Sequence, residues 1–253
     1  MKKKIFALAV GLLLMMSSMA QSVKVVTSDY AQAEYLFKTS APQIVTQEAA
    51  GASYTLVSYK GSTPSTEVGR PNLPIISEFV EIPLCADVKV TVTDIQVQTL
   101  KSVEHPLMPV QPAPSKSDKG PLPFTLDSAT YSANVFYGHE MAWVEKMGVA
   151  RDRNVAILRI SPLSYNPVTG ELQLVTSMKV TLTYEGADAA ATQQMRNRYF
   201  SPDFTIGHSL LSTLPASKSA RMEAPIHYLI VSHSSFRGSL DEFIAWKKRQ
   251  GFL

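Results

Sequence analysis

Residues 178–185 read MKVTLTYE, and apolar and polar side chains alternate strictly along them. The apolar set would face a protein core and the polar set would face water, which is the pattern of a half-buried β-strand. Such a strand is typical of an antiparallel sheet with one face on a core. The apolar set is Met178, Val180, Leu182 and Tyr184, and the polar set is Lys179, Thr181, Thr183 and Glu185.

The segments before this strand predict a hairpin. Residues 155–161 are strand-like, residues 166–170 (NPVTG) are typical of a turn, and residues 171–175 run back as a second strand. We therefore expect 155–161 to pair with 171–175 across the turn. Residues 186–197 (GADAAATQQMRN) have the composition of a short helix, which we expect to lie on the sheet.

Other short strands are predicted further upstream. Along residues 87–98, three valines alternate with polar residues and the apolar positions then resume out of phase, which indicates a bulge at Thr93 and Asp94. Many short strands separated by turn signals predict a mainly β chain with an antiparallel β-sandwich or barrel-like domain. The remaining predicted strands are 75–83, 131–137 and 142–147, with one around Tyr54, Leu56 and Val57 in the poorly periodic region 23–59, and 61–74 is a turn-rich connection.

Residues 105–124, HPLMPVQPAPSKSDKGPLPF, contain six prolines and should form a stiff loop. Proline fixes φ and biases the preceding residue toward extended backbone. The proline-free part, residues 115–120, is polar and should carry Lys116 and Lys119 at the tip. A basic side chain on a rigid extended loop is similar to a protease substrate, although the same composition is also typical of a solvated linker.

The first 20 residues predict a secretory signal. Three lysines precede an apolar run over residues 5–16, and Ser18 and Ala20 are small residues at the positions that a signal peptidase reads. We expect cleavage between Ala20 and Gln21 and export through the periplasm. The apolar run is too short to span a bilayer.

Charge and cysteine content argue against several functions. Without the leader lysines the chain has 21 basic and 21 acidic residues, which argues against binding to nucleic acid or to an anionic membrane. Cys85 is the only cysteine and cannot form an internal disulfide. It could be a nucleophile with a histidine as base, but its position between strands favours a small buried apolar residue. The histidines (His105, His139, His208, His227 and His233) lack metal-ligand spacing, so no catalytic site, metal or cofactor is predicted.

The end of the chain differs in kind from the rest. Residues 201–223 lose periodicity and have the character of an exposed linker, in which Lys218 and Arg221 would be processing sites for a trypsin-like cut. Residues 227–232 (HYLIVS) predict a strand buried on both faces, and residues 239–242 predict a capping box that opens a helix ending at Gly251. This would be the first βα step of a parallel α/β domain. A lone βα step cannot bury its faces, so we expect the front end of a longer precursor.

Several segments, in their order and spacing, resemble the pro-region of gingipain-type cysteine peptidase precursors, and most closely that of the lysine-specific members. The resemblance implies a β-sandwich pro-domain that covers the active-site cleft of a cysteine peptidase catalytic domain, in cis or in trans, and keeps it latent. The segments are 66–74 (TEVGRPNLP), 107–118 (LMPVQPAPSKSD), 160–165 (ISPLSY), 186–193 (GADAAATQ), 200–202 (FSP) and 228–252.

The same resemblance implies an inhibitory loop. In lysine-specific members the lysine of a Ser-Lys-Ser-Asp segment occupies the specificity pocket, and here that segment is Ser115, Lys116, Ser117 and Asp118. Lys119 has no counterpart role. The catalytic residues of the family are a histidine followed by glycine and a cysteine at the end of a buried strand. Here His139 is followed by Glu140, and no other histidine is followed by glycine, so we expect this chain to be catalytically inert. The full precursor would be a cysteine-type endopeptidase that cleaves after lysine or arginine.

The predicted organisation is a signal peptide over 1–20, a pro-domain over 21–221, and the truncated start of a caspase-like peptidase domain over 222–253. The main alternative is a free-standing secreted β-sandwich that serves as a binding or adhesin module. A reading frame that continues past codon 253 into a histidine-glycine and a cysteine motif would distinguish the two. A third hypothesis, a small hydrolase using Cys85, requires thiol-dependent hydrolysis that Cys85→Ala abolishes.

Overall fold

The computed structural model describes residues 22–117, 119–120, 122–200, 210–215 and 227–253. Antiparallel strands dominate the described chain, which confirms the mainly β prediction. The strands are β1 (Ser22–Ser28), β2 (Gln32–Lys38), β3 (Gln43–Ala49), β4 (Ala52–Ser58), β5 (Ile76–Glu81), β6 (Asp87–Leu100), β7 (Ala142–Ala150), β8 (Arg153–Ile160), β9 (Leu163–Tyr165) and β10 (Leu172–Glu185). The helices are α1 (Ser128–Ser132), α2 (Ala189–Tyr199) and α3 (Asp241–Arg249).

Strand β10 is the centre of the larger sheet. It pairs with β2 on one side and with β6 on the other, β1 extends the sheet beyond β2, and β9 pairs with the first residues of β10. The predicted alternation is confirmed. The apolar side chains of Met178, Val180, Leu182 and Tyr184 are buried, and the polar side chains between them are half-buried or exposed.

The second sheet has the order β5-β8-β7, and its inner face packs on the larger sheet. Ala156, Leu158 and Ile160 alternate along β8 and belong to the same buried cluster as Tyr35 and Phe37 of β2. Two facing antiparallel sheets with a shared apolar core form a β-sandwich, as the sequence predicted. Strands β3 and β4 form a separate two-stranded ribbon.

The bulge in β6 lies where the sequence predicted it. The register between β6 and β10 shifts between the pairs Gln96 with Ser177 and Thr93 with Lys179, and Asp94 adopts a φ of 52°. The extra residue reverses the faces on which the following side chains lie, and Ile95 and Val97 beyond it are exposed.

Within residues 131–175, one predicted strand pairing and one predicted strand are wrong. The turn at residues 166–170 does form, but it joins β9 to β10, because β8 pairs with β5 and β7 in the other sheet. Residues 131–137 are not a strand. Asp127 accepts hydrogen bonds from the backbone N–H groups of Ala129 and Thr130, and this cap starts helix α1 instead.

The region 23–59 contains four strands, although its sequence indicated only one. Strand β3 is almost entirely exposed and β1 is exposed along its middle, so neither has a strong apolar period for sequence analysis to detect. The prediction of a helix after β10 is confirmed by α2, which begins at the cap residue Asp188.

The linker predicted over 201–223 is only partly described. Residues 210–215 are not exposed linker, because Ser212 and Leu214 are buried against the sandwich. Lys218 and Arg221 lie outside the described residues, as do Ala20 and Gln21. The predicted processing sites therefore stay predictions.

The final segment contains the predicted helix but not the predicted strand. Residues 227–232 pair with no strand among the described residues, and Leu229 and Val231 are 85% and 89% exposed. An apolar strand needs a sheet to bury its faces. Helix α3 forms, but a 3-10 turn leads into it and its cap residue Leu240 makes no side-chain cap, so the capping box is absent. Gly251 follows at a φ of 91°, as expected for a helix end.

Nowhere in the described ranges does a helix have the length and apolar character needed to cross a membrane.

Candidate functional site: the proline loop

The upstream arm of the proline loop is part of the core. The backbone N–H of Thr55 donates to Pro106 O at 2.8 Å, and that of Met108 donates to Thr55 O at 2.8 Å. Leu107 lies between them, fully buried in the main apolar cluster. The loop therefore starts from a fixed point inside the sandwich.

A turn at residues 67–70 connects the upstream arm to the downstream arm. Val110 N–H donates to Arg70 O at 2.9 Å, Gly69 N–H donates to Val110 O at 2.8 Å, and Asp127 N–H donates to Gly69 O at 2.8 Å. Gly69 has a φ of +84°, and a Cβ there would lie 3.1 Å from Asp127 N. Glycine is required at this position for both reasons.

Gln111 fixes the neck of the loop. Its side-chain Nε2 donates to Thr125 O at 2.9 Å and to Pro109 O at 3.0 Å, while its Oε1 accepts from Thr125 N–H at 2.9 Å. The ring of Phe124 packs on Tyr54 with centroids 5.4 Å apart. The described residues 112–117, 119–120 and 122–123 therefore project from a closed neck.

A charged cluster reinforces the turn beside the neck. Arg70 Nη1 lies 2.6 Å from Glu67 Oε2, its Nε lies 3.5 Å from Asp127 Oδ2, and the Tyr137 hydroxyl donates to Glu67 Oε2 at 2.9 Å. The hydrogen bond from Tyr137, helped by Arg70, lowers the pKa of Glu67. The hydroxyl and backbone N–H of Thr130 lower the pKa of Asp127. Both carboxylates are therefore held in the charged form that binds Arg70.

Helix α1 anchors the downstream arm to the core. The Tyr131 hydroxyl donates to Leu107 O at 2.6 Å, so the helix that follows the loop is bonded to the arm that precedes it. Burial raises the pKa of Tyr131, which keeps the phenol protonated as a donor.

The tip presents the predicted inhibitory residues to solvent. Ser115, Lys116 and Ser117 are exposed, the chain turns at Lys116 and Ser117, and Ser117 N–H donates to Ser115 Oγ at 3.3 Å. Lys119 is also exposed, and Asp118 lies outside the described residues. The Lys116 side chain therefore lies in solvent, beyond the neck closed by Gln111.

The other candidate residues do not assemble a catalytic or metal site in the described ranges. Cys85 is exposed in a turn with a φ of 60°, so the prediction of a buried apolar cysteine is wrong. His139 packs against Tyr137 and Trp143, and His233 Nδ1 contacts Ser235 Oγ at 2.8 Å. No group of three metal-binding side chains occurs in the part of the chain that is described.

Sequence reasoning identified the tip of the loop but missed its supports. Gln111 and Thr125 give no periodic or motif signal, since one glutamine among prolines is unremarkable in composition. Gly69 and Arg70 lie in the TEVGRPNLP segment, which contributed to the family resemblance without revealing its contact with the loop.

Comparison with known proteins agrees with this architecture. The family model described as Propeptide_C25 matches residues 17–202 of the 253. The chain belongs to the Propeptide_C25 family. The predicted resemblance to gingipain-type precursors is thereby confirmed at the level of the pro-region.

Named relatives of this Propeptide_C25 chain come from Porphyromonas gingivalis. Lys-gingipain of strain ATCC 33277 is 28% identical over 99% of this chain and 16% of its own length. Gingipain R1 is 23% identical over 74% of this chain and 19% of its own length. The chain thus spans less than a fifth of the length of these two curated relatives.

Two solved structures share the fold. One, described as "Structural insight into zymogenic latency of gingipain K from Porphyromonas gingivalis", has a TM-score of 0.61 and 27% identity, and covers 68% of this chain and 97% of that chain. The other, "Complex of Porphyromonas gingivalis RgpB pro- and mature domains", has a TM-score of 0.57 and 20% identity over 65% of this chain and 85% of that chain. The second likeness concerns the fold alone.

Proposed function

We propose that this chain is the latency and folding pro-domain of a secreted gingipain-like cysteine endopeptidase. The observation that carries the proposal is the proline loop, which is closed at its neck by Gln111 and exposed at Lys116 on a Propeptide_C25 fold. The partner is the cognate peptidase catalytic domain, reached in cis within a precursor or in trans after cleavage. The chain itself contributes no catalytic residue.

In this proposal Lys116 enters the specificity pocket of the peptidase. A lysine ammonium is a compact charge that a carboxylate at the base of a pocket can pair with. The neck is ordered before binding, so little conformational entropy is lost when the loop docks. Ser115, Ser117 and Asp118 flank Lys116 and complete the inhibitory segment.

The proposed processing follows the predicted organisation. The exported chain starts at Gln21 after cleavage behind Ala20, the pro-domain runs to about Arg221 with cuts at Lys218 or Arg221, and 222–253 opens the caspase-like peptidase domain. The parent precursor is a cysteine-type endopeptidase that cleaves after lysine or arginine. Helix α3 forms where the sequence predicts the helix of the first βα step, and this supports the proposed start of the peptidase domain.

The function is tested by adding the purified exported chain to the catalytic domain of a Lys-gingipain and measuring residual peptidase activity. We expect saturable inhibition with one chain per enzyme, and increased recovery of active enzyme when the chain is present during refolding. The matched control is the same chain after heat denaturation. No inhibition at any concentration would favour the alternative of a free-standing binding or adhesin module.

A further inference from the structure

Residues 210–215, which we call the strap, lie along the free edge of β5. Leu211 N–H donates to Phe79 O at 2.7 Å, and Glu81 N–H donates to Ser212 O at 3.0 Å, so the strap pairs in parallel with β5 at Val80. Strand β5 would otherwise expose unpaired backbone groups on this side, because β8 occupies its other edge.

The strap also bonds to the opposite sheet. The Tyr35 hydroxyl of β2 and Ser212 Oγ are 2.7 Å apart in a buried hydrogen bond. The Ser28 hydroxyl donates to Thr213 O at 3.3 Å and the Tyr30 hydroxyl donates to Pro215 O at 3.2 Å. The strap therefore bridges the two sheets of the sandwich along one side.

A buried ionic centre binds the strap backbone. Glu81 is fully buried, and its Oε2 accepts from Arg153 Nη1 at 2.7 Å and from Leu214 N–H at 2.9 Å. Arg196 of α2 lies 3.5 Å from Glu81 Oε1 through its Nε, and its Nη1 donates to the carbonyl oxygens of Leu214 and Pro215 at 3.1 and 2.8 Å.

Removal of the strap would leave this centre incomplete. Glu81 would lose one donor and Arg196 would lose two acceptors, while both side chains would still carry charge at the edge of the core. Buried charged groups are tolerated only when their hydrogen bonds are made. Leu214, which is 2% exposed, would also leave a gap in the core.

We propose that the β5 edge, together with Glu81 and Arg196, is a peptide-binding groove whose ligand is the strap of this same chain. The groove selects an extended peptide with a small hydroxyl residue opposite Tyr35 and leucine two positions later. Occupancy of the groove determines how long the pro-domain stays folded. The effect of groove occupancy on peptidase inhibition rests on the proposed function. The existence of the groove rests only on the contacts of the strap with β5, Glu81, Arg196 and Tyr35.

Whether the pro-domain stays folded after a chain cut then depends on whether the cut lies before or after the strap. A cut after Pro215 leaves the strap covalently attached, and the excised pro-domain remains folded. A cut before residue 210 makes the strap a separate peptide that can dissociate, and the pro-domain loses stability. A second cut of this kind would end inhibition irreversibly.

The test compares two versions of the full exported chain. One has a recognition sequence for a site-specific protease inserted within 201–209, and the other has the same sequence inserted within 216–226. After complete cutting, we expect the melting temperature of the second version to change by no more than about 2 °C and that of the first to fall on the order of 10 °C. Equal melting temperatures for the two cut proteins would overturn the proposal.

A synthetic peptide of residues 210–215 provides an independent readout. Added to the protein cut within 201–209, it should restore the melting temperature in a concentration-dependent way. The Ser212→Ala peptide should bind roughly 5- to 10-fold more weakly because it lacks the hydroxyl bonded to Tyr35. The control Thr213→Ala peptide should bind like wild type, since Thr213 is exposed and contacts Ser28 through its backbone.

Neither readout measures inhibition of a gingipain-like peptidase, so the groove proposal and the inhibitory-loop proposal can fail independently of each other. Rescue by the wild-type and Thr213→Ala peptides at roughly 5- to 10-fold lower concentration than by the Ser212→Ala peptide supports the groove. No rescue by any peptide, or equal rescue by all three, would contradict it.

Discussion

Gln111 and Thr125 hold the two arms of the proline loop together. The side-chain amide of Gln111 donates to Thr125 O and accepts from Thr125 N–H, each at 2.9 Å. A side chain that pairs with both backbone groups of one residue substitutes for a strand neighbour. The loop tip at Lys116 therefore projects from a closed neck, although no β-ladder joins the two arms among their described residues.

Gln111→Ala should weaken inhibition without unfolding the chain. Loss of the side-chain bonds opens the neck, so more residues must be ordered on docking, and we expect the inhibition constant to rise about 5- to 30-fold. Titration against a Lys-gingipain catalytic domain measures it. Gln43→Ala, on the exposed β3 edge, is the matched control and should leave the constant unchanged. Equal constants for both variants would mean that the neck does not preorganise the tip.

Gly69→Ala should destabilise the protein by about 1 to 3 kcal/mol. The substitution places a side chain at a φ of +84° and a Cβ 3.1 Å from Asp127 N, so the downstream arm of the loop must shift. Urea unfolding gives the change in free energy. Gly120→Ala is the control, because a Cβ there meets no atom within 4 Å. Similar stability for the two variants would contradict the close packing of the turn against the loop.

The protein should lose stability as the pH rises above 10. Burial raises the pKa of several phenols above that of the unfolded chain, including that of Tyr59 to about 12, so the folded state keeps protons that the unfolded state releases. Their contribution is fully present below pH 10 and is lost as the pH rises through the folded pKa values. The phenols with raised pKa are Tyr35, Tyr59, Tyr131, Tyr137, Tyr165 and Tyr184.

Urea unfolding between pH 9 and pH 11.5 measures this loss. In the Tyr59→Phe variant, the unfolding free energy that is lost between pH 9 and pH 11.5 should be smaller than in wild type by on the order of 1 to 3 kcal/mol. Tyr199→Phe, at an exposed position, should leave the slope as it is in wild type. A flat profile for the wild-type protein above pH 10 would show that these phenols are not held protonated by folding.

Sequence patterns predicted those parts of the fold whose side chains alternate. The four apolar residues of β10 alternate as predicted for a half-buried strand. The register shift at Asp94 lies where the change of apolar phase predicted a bulge, although Ile95 and Val97 beyond it are exposed. The exposed strand β3 carries no such record, because it buries neither face. Pairing between strands that are far apart in sequence leaves no local pattern. The sequence therefore predicts a hairpin for β8, whereas β8 pairs with β5 and β7.

The candidate site was predicted in part for the same kind of reason. Proline spacing marks a stiff loop and the family segment marks Lys116, so the tip could be identified from local sequence. The supports of the loop are long-range contacts, such as that of Tyr131 with Leu107, and no local pattern encodes them. The strap was mistaken for a linker because only two of its six side chains, Ser212 and Leu214, are buried.

The central claim is that Lys116 enters the specificity pocket of a peptidase, and the inhibition constants of single lysine variants against a Lys-gingipain catalytic domain test it most directly. Lys116→Ala leaves the pocket charge desolvated and unpaired, so we predict that the constant rises roughly 30-fold to several thousand-fold. Lys116→Arg should also weaken inhibition, because the guanidinium is longer and planar. Lys119→Ala should change the constant less than about 3-fold. If Lys116→Ala inhibits as well as wild type, the loop is a linker and the proposed latency mechanism is wrong.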